Sequence, residues 1–531
     1  MRAEFTAGGW ALLFAASLGA ALLLYRPALS GPFLSDDHHY LIGNPFVHEL
    51  SLESVARILD PTGDVALSIS NYAPVQMLLH AAAFGVFGDD TTGHHVMNVG
   101  LHALASVLLV ALFLDTGLPR AAALLGGGLF LVHPANVEAV AWISQLKSSA
   151  SLVLALIALL LHSRRPALAT VAFALALLAK GHAVVVLPVA ALLEWLRTGR
   201  VRWRWIALWA AIFAAYAAVE IASHERNQGG APPRTDAAVV WLRTVVAIAM
   251  RYLVMAATSL GVSAFHETEP ARSRLDPWFW AGLLALAILG GRLVVMLRRR
   301  SQEAVFWLWA LLAFAPVSQI FFPFLYPMAD RYLDFMLPGL IGGALLAARD
   351  TAERLPEPRR RAAGVAAIGL VAALGVFFAV RSSERAAIWR SEASLIADAA
   401  EHYPEGVSAN LLRAKRAAQI GDVGGVAEAL RAAARRGYTL FAPIDADPAF
   451  AGVRDEPEFR AVVSEIAAGW IERGRARENP TQAELKIVAH AHYVRGEKAE
   501  AIAVLRRAFA IGGPLDAEIQ ADLSALEASG P

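Results

Sequence analysis

The chain has 531 residues, of which 57% are hydrophobic and 18% are charged, and its mean hydropathy is +0.48. Because soluble domains usually carry about 25% charged residues, this composition indicates an integral membrane protein. A net charge of +1 excludes the strongly basic surface that nucleic acids attract. The absence of cysteine excludes disulfides, thiolate nucleophiles and cysteine-ligated zinc sites.

The charged residues divide the chain into two parts. Residues 1–384 hold 54 charged side chains, whereas the 147 residues of 385–531 hold 39. We therefore predict a transmembrane domain over residues 1–384 and a water-soluble domain over residues 385–531.

In chain order, the apolar runs predict eleven membrane crossings, because about 20 apolar residues span a bilayer core and somewhat shorter runs can do so when their flanks snorkel. The first run, residues 7–25, is followed by no small-residue cleavage site and is interpreted as a retained transmembrane helix. The other predicted crossings lie near residues 94–115, 119–133, 149–163, 166–180, 183–197, 205–221, 277–297, 303–322, 332–349 and 362–380.

The positive-inside rule predicts the orientation of these crossings. Basic clusters at residues 164–165, 197–204, 298–300 and 359–361 all face the cytoplasm if the N-terminus is inside and eleven segments cross. The first loop, residues 26–93, residues 134–148 and the tail then lie outside the membrane on the extracytoplasmic side. The Ala/Arg-rich composition favours a bacterial inner (cytoplasmic) membrane.

A further apolar run, residues 238–260, would break this parity if it crossed. It contains Arg243 and Arg251, and charges at mid-bilayer depth are costly unless they face protein or water. We predict that this segment is re-entrant or interfacial on the outer side.

The soluble tail has the pattern of helical repeats. Residues 408–436 read as a helix, a Gly-Asp turn and a second helix, and residues 485–511 repeat this plan. Small residues at the helix crossings and a turn glycine are typical of tetratricopeptide repeats. The predicted fold class is therefore all-α, a polytopic helical membrane protein with a C-terminal tetratricopeptide-like domain.

An acidic pair, Asp36-Asp37, follows the first predicted helix and precedes His38-His39. Adjacent carboxylates near an apolar surface can supply a general base or grip a divalent cation. A polar turn or helix N-cap explains the same residues equally well. No metal-ligand spacing is found among the histidines, so no metal site is assigned.

Several cations are predicted on the same side of the membrane as this pair. Lys147 could hold a lipid-linked phosphate as a point charge, and Arg331 could clamp one through two hydrogen bonds. Snorkelling explains Lys147 and Glu138 as well, and a capping ion pair explains Asp330-Arg331. The candidate phosphate-binding residues are Lys147, Lys180, Arg251 and Arg331, with His133, Glu138 and Asp330 in supporting positions.

Together these residues favour a polyprenyl-phosphate sugar as donor substrate. Cations would offset the charge of the phosphate leaving group while a carboxylate removes the proton of the acceptor hydroxyl. Asp36 and Asp37 are the candidate catalytic residues.

The chain resembles the transmembrane and tetratricopeptide-repeat O-mannosyltransferases and their bacterial relatives, of the GT-C glycosyltransferase superfamily. The resemblance rests on motifs that run in the family order across most of residues 1–350. They are Phe33-Leu-Ser-Asp-Asp37, Tyr72-Ala-Pro-Val75, His94-His-Val-Met-Asn-Val-Gly-Leu-His-Ala103, His133-Pro-Ala-Asn-Val-Glu-Ala-Val-Ala-Trp-Ile-Ser144, Leu178-Ala-Lys180 and Ala329-Asp-Arg-Tyr332.

This resemblance implies a GT-C-like core of about 11–12 membrane helices and an inverting transfer of a sugar, typically mannose, to a Ser or Thr hydroxyl outside the cytoplasm. It makes Asp36 the candidate base and Asp37 its neighbour. The chain departs from the family pattern after Ile143-Ser144, where Gln145-Leu-Lys-Ser148 replaces an Arg-Lys-Asp-like sequence, and after Lys180, where Gly181-His182 replaces a common proline.

Two other functions are compatible with the same residues. The acceptor could be a lipid or cell-surface glycan, with the repeats docking a protein partner. Alternatively, the chain is a non-enzymatic repeat scaffold for envelope assembly, and the acidic pair only forms a polar turn. The acceptor hypotheses differ in whether proteinase removes the labelled product, and the scaffold hypothesis differs from both because it does not need Asp36.

Overall fold

The structure, a computed structural model, describes residues 5–63, 65–66, 69, 71–228, 237–321, 327–477, 480–512 and 515–528, with the backbone alone for 224–228. Parts of the predicted segments 26–93, 303–322 and 385–531 lie outside these residues. Every regular element in the described ranges is a helix, which confirms the all-α prediction. The described chain forms two compact units, one of residues 1–221 and 232–395 and one of residues 222–231 and 396–531.

The helices up to residue 388 are α1 (Ala7–Tyr25), α2 (Leu52–Leu59), α3 (Pro74–Phe87), α4 (Thr91–Asp115), α5 (Arg120–Leu131), α6 (Val137–Ala141), α7 (Leu146–His162), α8 (Pro166–Ala179), α9 (Val186–Thr198), α10 (Trp203–Gln228), α11 (Ala238–Thr258), α12 (Pro277–Arg298), α13 (Glu303–Phe314), α14 (Leu337–Glu353) and α15 (Glu357–Ile388). Short 3₁₀ turns at Ile143–Gln145, Gly181–Val185 and Asp330–Tyr332 precede α7, α9 and α14 respectively.

Eight helices in the described ranges are long and apolar enough to cross a membrane, or nine if α5 and the bent segment that follows it count as one span. This confirms an integral membrane protein, with fewer full-length spans than the eleven predicted. The difference arises because four predicted crossings form short helices, α5 with 12 residues, α8 with 14, α13 with 12 and α14 with 17, whereas α11 adds a span that was not predicted. At a rise of 1.5 Å per residue, such helices are shorter than a bilayer core of about 30 Å.

The segment 238–260 forms one unbroken helix, α11, and not a re-entrant loop. Its length and composition also meet the criterion for a membrane span. The charge of Arg251 is accommodated because its guanidinium carbon lies 4.6 Å from the ring centroid of Trp278, at the start of α12. The interfacial alternative stays a prediction.

The core of the first unit is centred on α4, which packs against α1, α5 and α7. Helices α7 and α8 form an antiparallel hairpin, and α13 packs along α14. A second apolar cluster joins α1 and α4 to Trp142 and Trp389. The rings of these two tryptophans stack with their centroids 5.6 Å apart. Because Trp389 belongs to this core, the unit extends past residue 384, where the composition changes.

The first loop has a small apolar core of its own. It contains Tyr40, Val47, Ile58 and Met77, and it packs against Ile143. The loop is therefore a folded layer over the residues that precede α7.

The second unit is made of paired helices. Its helices are α16 (Glu392–His402), which begins in the first unit, α17 (Val407–Gln419), α18 (Val423–Arg435), α19 (Phe441–Ala446), α20 (Pro457–Ala476), α21 (Gln482–Val494), α22 (Lys498–Ile511) and α23 (Asp516–Ala528). The pairs α17–α18 and α21–α22 match the two predicted repeats, and each turns at a glycine with positive φ, Gly421 at +72° and Gly496 at +77°. Their assignment to the tetratricopeptide class stays a prediction.

Candidate functional site

The acidic pair lies in a tight turn, Leu34–Asp37, that we call the acidic turn. The Asp37 amide donates to the Leu34 carbonyl at 3.0 Å, and the Leu34 amide donates to Asp37 Oδ2 at 2.9 Å. Ser35 has a φ of +51°, in the left-handed region that residues other than glycine seldom adopt. Asp36 is half-buried, whereas Asp37 is buried. The two acids therefore occupy different environments.

Asp37 also binds the short stretch Trp142–Gln145, which we call the central segment. Asp37 Oδ1 accepts a hydrogen bond from the Ser144 amide at 2.7 Å and another from the Ser144 hydroxyl. The Trp142 indole donates to the Leu34 carbonyl at 3.2 Å. The acidic turn is thus held against the central segment at both of its ends.

The environment of Asp37 changes its acidity. The pKa of Asp37 is raised from its ordinary value to about 6, chiefly by burial and also by the charge of Asp36. The hydrogen bonds from Leu34 and Ser144 lower the pKa and offset part of this effect. Asp37 is consequently ionised at neutral pH and serves as an acceptor for three donors.

Two amide side chains hold the central segment from other directions. Asn98 Nδ2, in α4, donates to the carbonyls of Trp142 at 3.0 Å and Ile143 at 3.3 Å. Gln76 Nε2, in α3, donates to the Ser144 carbonyl at 3.2 Å. These bonds satisfy backbone groups that would otherwise be buried without partners, so the segment has a defined position in the core.

Arg331 is held by Glu138 in α6. The Arg331 amide donates to Glu138 Oε2 at 2.8 Å, and its guanidinium pairs with Oε1. The guanidinium carbon also lies 5.5 Å from the Trp142 ring centroid and 5.1 Å from that of Tyr332. Glu138 engages Nη1, and the guanidinium fork has further N–H donors that can meet an anion.

Lys180 follows α8 at the break before the Gly181–Val185 turn. Its Nζ donates to Ser148 Oγ at 2.7 Å, and Ser148 donates in turn to Gln145 Oε1 at 2.9 Å. Its charge interacts with those of Lys147, Arg331, Glu138 and Asp334. Four of the candidate residues on widely separated parts of the chain therefore share one neighbourhood.

Lys147 lies in the first turn of α7, next to the first loop. Its Nζ is 3.5 Å from Tyr40 Oη and 4.9 Å from the Tyr40 ring centroid. Glu220, in α10, feels the charge of Lys147 and accepts a hydrogen bond from the Tyr72 amide at 2.7 Å. Lys147 thus has an aromatic face on one side and a carboxylate within electrostatic reach.

Asp36 completes this group, because its charge acts on Arg331. We call the assembled residues the polar cluster; they are Asp36, Asp37, Glu138, Lys147, Lys180, Arg331 and Asp334. It lies at the start of α7 and the end of α8, away from the basic residues 164–165 that connect those helices.

Three predicted residues have structural partners instead. His133 uses both ring nitrogens on backbone groups, Nε2 with the Ala256 carbonyl at 2.9 Å and Nδ1 with the Ala135 amide at 3.2 Å. Asp330 binds His266 Nε2 at 2.7 Å. Arg251 packs on Trp278, as described above, and we do not include it in the polar cluster.

Sequence reasoning missed several residues of this site. Ser144 and Ser148 have ordinary hydroxyl side chains, and only their hydrogen bonds to Asp37 and Lys180 distinguish them. Asp334 is fully buried, and its Oδ2 has no hydrogen-bond partner among the described residues. A buried acid four residues after Asp330 was the signal that could have drawn attention to it.

The described residues contain no group of three or more His, Asp or Glu side chains arranged to hold a metal ion. The polar cluster instead offers a half-buried carboxylate, Asp36, within electrostatic reach of Arg331, whose charge also acts on Lys180. Such an arrangement can remove a proton from a hydroxyl and stabilise an anionic leaving group in one place.

No family model matches the chain. Over 152 residues, 27% of its length, the chain is 32% identical to the protein O-mannosyl-transferase Tmtc1 of Drosophila melanogaster. It spans only 17% of that relative. This similarity confirms the resemblance found in the sequence motifs.

Two solved structures are similar at low identity. An oligosaccharyltransferase of Archaeoglobus fulgidus, tethered to an acceptor peptide, is 13% identical with a TM-score of 0.38 over 70% of this chain and 55% of that one. ArnT of Cupriavidus metallidurans, bound to undecaprenyl phosphate, is 14% identical with a TM-score of 0.37 over 88% of this chain and 81% of that one.

Proposed function

We propose that this chain is a membrane glycosyltransferase that moves a sugar, with mannose favoured, from a polyprenyl-phosphate carrier to a hydroxyl acceptor. The acceptor class that we favour is protein Ser or Thr on the extracytoplasmic face. The observation that carries this proposal is the polar cluster, in which the charge of Asp36 acts on Arg331 and the charges of Arg331 and Lys147 act on Lys180. The similarity to Tmtc1 supports the same class of reaction.

In the proposed reaction, the Asp36 carboxylate takes the proton of the acceptor hydroxyl. The acceptor oxygen attacks the anomeric carbon and forms the new glycosidic bond, while the bond from that carbon to the phosphate oxygen breaks. The polyprenyl phosphate leaves with the bonding electron pair, and the cations of Arg331, Lys180 and Lys147 balance its charge. Attack opposite the leaving group inverts the anomeric configuration.

An apolar pocket near Arg331 supports a lipid-linked donor. Side chains from α11 to α14 line it, among them Tyr252, Trp307 and Met336. The Tyr252 hydroxyl hydrogen-bonds to the amide of Ala329 at 3.0 Å, two residues before Arg331. A donor with its phosphate at Arg331 could therefore place apolar chain between these helices.

We further propose that the polar cluster and the second unit lie outside the cytoplasm, in a bacterial inner membrane. The basic residues 164–165 and 298–300 lie at the opposite ends of their helices from the polar cluster, which supports this orientation. The paired helices of the second unit offer a surface for a protein acceptor or protein partner.

The first experiment follows radiolabel from synthetic polyprenyl-phosphate mannose in proteoliposomes, with total envelope extract as acceptor. We expect transfer by the wild type and a loss of at least about 100-fold in Asp36→Asn, because general-base catalysis contributes about 10²–10⁴-fold. Asp89→Asn, an exposed acid of the same loop, is the matched control and should transfer normally. Proteinase treatment of the labelled product distinguishes a protein acceptor from a glycan or lipid.

Retained transfer in Asp36→Asn would contradict the assignment of the base. If the wild type transfers no label from mannose or from a panel of other carrier-linked sugars, the scaffold hypothesis is favoured instead. In that case the repeats, and not Asp36, should be needed in the cell.

A further inference from the structure

Asp37 has a different chemical situation from its neighbour Asp36. Its two carboxylate oxygens accept hydrogen bonds from the Leu34 amide, the Ser144 amide and the Ser144 hydroxyl, and its side chain is 1% exposed. A carboxylate engaged in this way has no open direction from which to reach a substrate hydroxyl. Asp36, by contrast, is only half-buried, and its charge acts on Arg331, so its carboxylate is the more accessible of the two.

The backbone conformation of the acidic turn depends on hydrogen bonds that hold it in place. Ser35 adopts a φ of +51°, and a residue other than glycine in this region persists only where its surroundings hold it there. Ser35 itself is exposed. Two hydrogen bonds hold the turn at Leu34: the Asp37 carboxylate accepts one from the Leu34 amide, and the Trp142 indole donates one to the Leu34 carbonyl.

The segment that holds Asp37 also holds the cation Lys180. Ser144 binds Asp37, and Gln145, the next residue, accepts from Ser148, which in turn accepts from Lys180. The central segment therefore contacts both Asp37 and the residues that bind Lys180. A shift of Asp37 relative to Ser144 would change the position of the acidic turn relative to the candidate phosphate-binding side chains.

We propose that Asp37 is a positioning residue, which together with Ser144 forms a latch that keeps the acidic turn closed and directs Asp36 toward Arg331. This inference rests on the proposed role of Asp36 and deepens it. Asp37 is thus not a second base, although the sequence named both acids as candidate catalytic residues.

The kinetic test uses Ser144→Ala, which removes one donor to Asp37 and leaves Asp36 and all cations in place. We expect kcat to fall about tenfold or more, the effect of one hydrogen bond to a charged group, while the KM for the polyprenyl-phosphate donor changes less than twofold. The matched control is Ser106→Ala, since Ser106 is also buried and donates to the Gly127 carbonyl at 2.8 Å, between α4 and α5. Equal losses in both variants would overturn the proposal.

The pH profile gives a second readout that a merely structural residue would not change. Asp36 is the charged neighbour of Asp37 on the acidic turn. The facing central segment contributes the uncharged Trp142, Ile143, Ser144 and Gln145, with Glu138 and Lys147 beyond its ends. Below about pH 6, Asp37 gains a proton and can no longer serve all three donors, so we expect kcat to fall there.

Ser144→Ala removes a hydrogen bond that lowers the pKa of Asp37. The fall of kcat at low pH, the acid limb of the pH profile, should therefore begin at a higher pH in this variant. Asp37→Asn cannot titrate, so its low rate should lack this limb. An unshifted limb in Ser144→Ala would contradict the latch.

Rescue by glycine tests the role of the strained turn. Glycine adopts positive φ without penalty, so adding Ser35→Gly to Asp37→Asn should raise the rate at least about threefold above that of Asp37→Asn alone. No recovery in the double variant would show that Asp37 does not act by holding this backbone conformation.

A measurement independent of transfer separates this inference from the proposed function. Hydrogen exchange of the full-length protein should show faster exchange of the Leu34 and Asp37 amides in Ser144→Ala, and unchanged exchange there in Asp36→Asn. Faster exchange with no transfer by the wild type would mean that the proposed function fails and the latch stands. Unchanged exchange in Ser144→Ala, with an active wild type, would overturn the latch alone.

Discussion

Single residues in this site differ in role because they differ in burial and in partners. Asp36 and Asp37 are neighbours of identical chemistry, and at the level of the sequence only the family resemblance separates them. The structure separates them because three donors converge on Asp37. The cations, by contrast, could be predicted from the sequence, since Lys147, Lys180 and Arg331 each adjoin a break at the same predicted end of the helices.

At the residue scale, the ion pair of Glu138 with Arg331 should be a large contributor to stability. Glu138 is 2% exposed, so Glu138→Ala leaves the Arg331 charge without its buried partner. We expect this substitution to lower the free energy of unfolding by about 3–5 kcal/mol, measured by thermal unfolding in detergent.

Glu384→Gln provides the comparison for this pair. Glu384 bonds to Arg381 at 2.8 Å, but both side chains are more than one-third exposed, and such surface pairs contribute about 0–1 kcal/mol. If the two variants lose equal stability, the burial of Glu138 does not have the effect that we assign to it.

At the scale of elements, the helices end where proline, glycine or a polar pair interrupts an apolar run. Hydropathy predicted the helical segments well and separated α8 from α9 at Lys180-Gly181, but it extended the crossing 303–322 past the end of α13 at Phe314. These breaks position the site: the turn before α9 presents Lys180, and the turn before α14 presents Arg331.

Close helix packing depends on glycines at particular contacts, and Gly339 in α14 gives a sharp prediction. A Cβ at Gly339 would lie 2.5 Å from the Ala310 amide nitrogen and 2.6 Å from the Phe306 carbonyl oxygen, both backbone atoms of α13. Because backbone cannot move aside cheaply, we expect Gly339→Ala to destabilise the protein by about 1–3 kcal/mol in thermal unfolding.

Gly290→Ala in α12 is the control, since a Cβ there has no neighbour within 4 Å. Its helix propensity should leave stability unchanged or improve it by up to about 1 kcal/mol. A loss at Gly290 as large as that at Gly339 would contradict this account of the α13–α14 contact.

At the scale of the whole molecule, the chain has two compact units, each with its own apolar core. The change in charged-residue content places the predicted domain boundary at residues 384–385. The unit boundary lies ten residues later, after Leu395, because α15 continues to Ile388 and Trp389 packs with Trp142.

The proposed orientation can be tested with introduced cysteines, because the chain has none of its own. Leu52→Cys in the first loop and Leu440→Cys in the second unit replace exposed residues. We expect a membrane-impermeant maleimide to label both in intact spheroplasts, and to label Arg359→Cys only after permeabilisation.

The unaltered chain, which cannot react, gives the background of this labelling measurement. Labelling of Arg359→Cys in intact spheroplasts would contradict the orientation, and so would protection of Leu52→Cys.

The sequence by itself determined the membrane character, the all-helical class and the two helix pairs of the C-terminal tail. These properties follow from composition and from periodicity along the chain, which are local. Only the tertiary structure decided which acid is buried, because Asp37 and Ser144 are 107 residues apart. Their contact depends on how α3, α4 and the first loop pack around the central segment, and no local pattern records that packing.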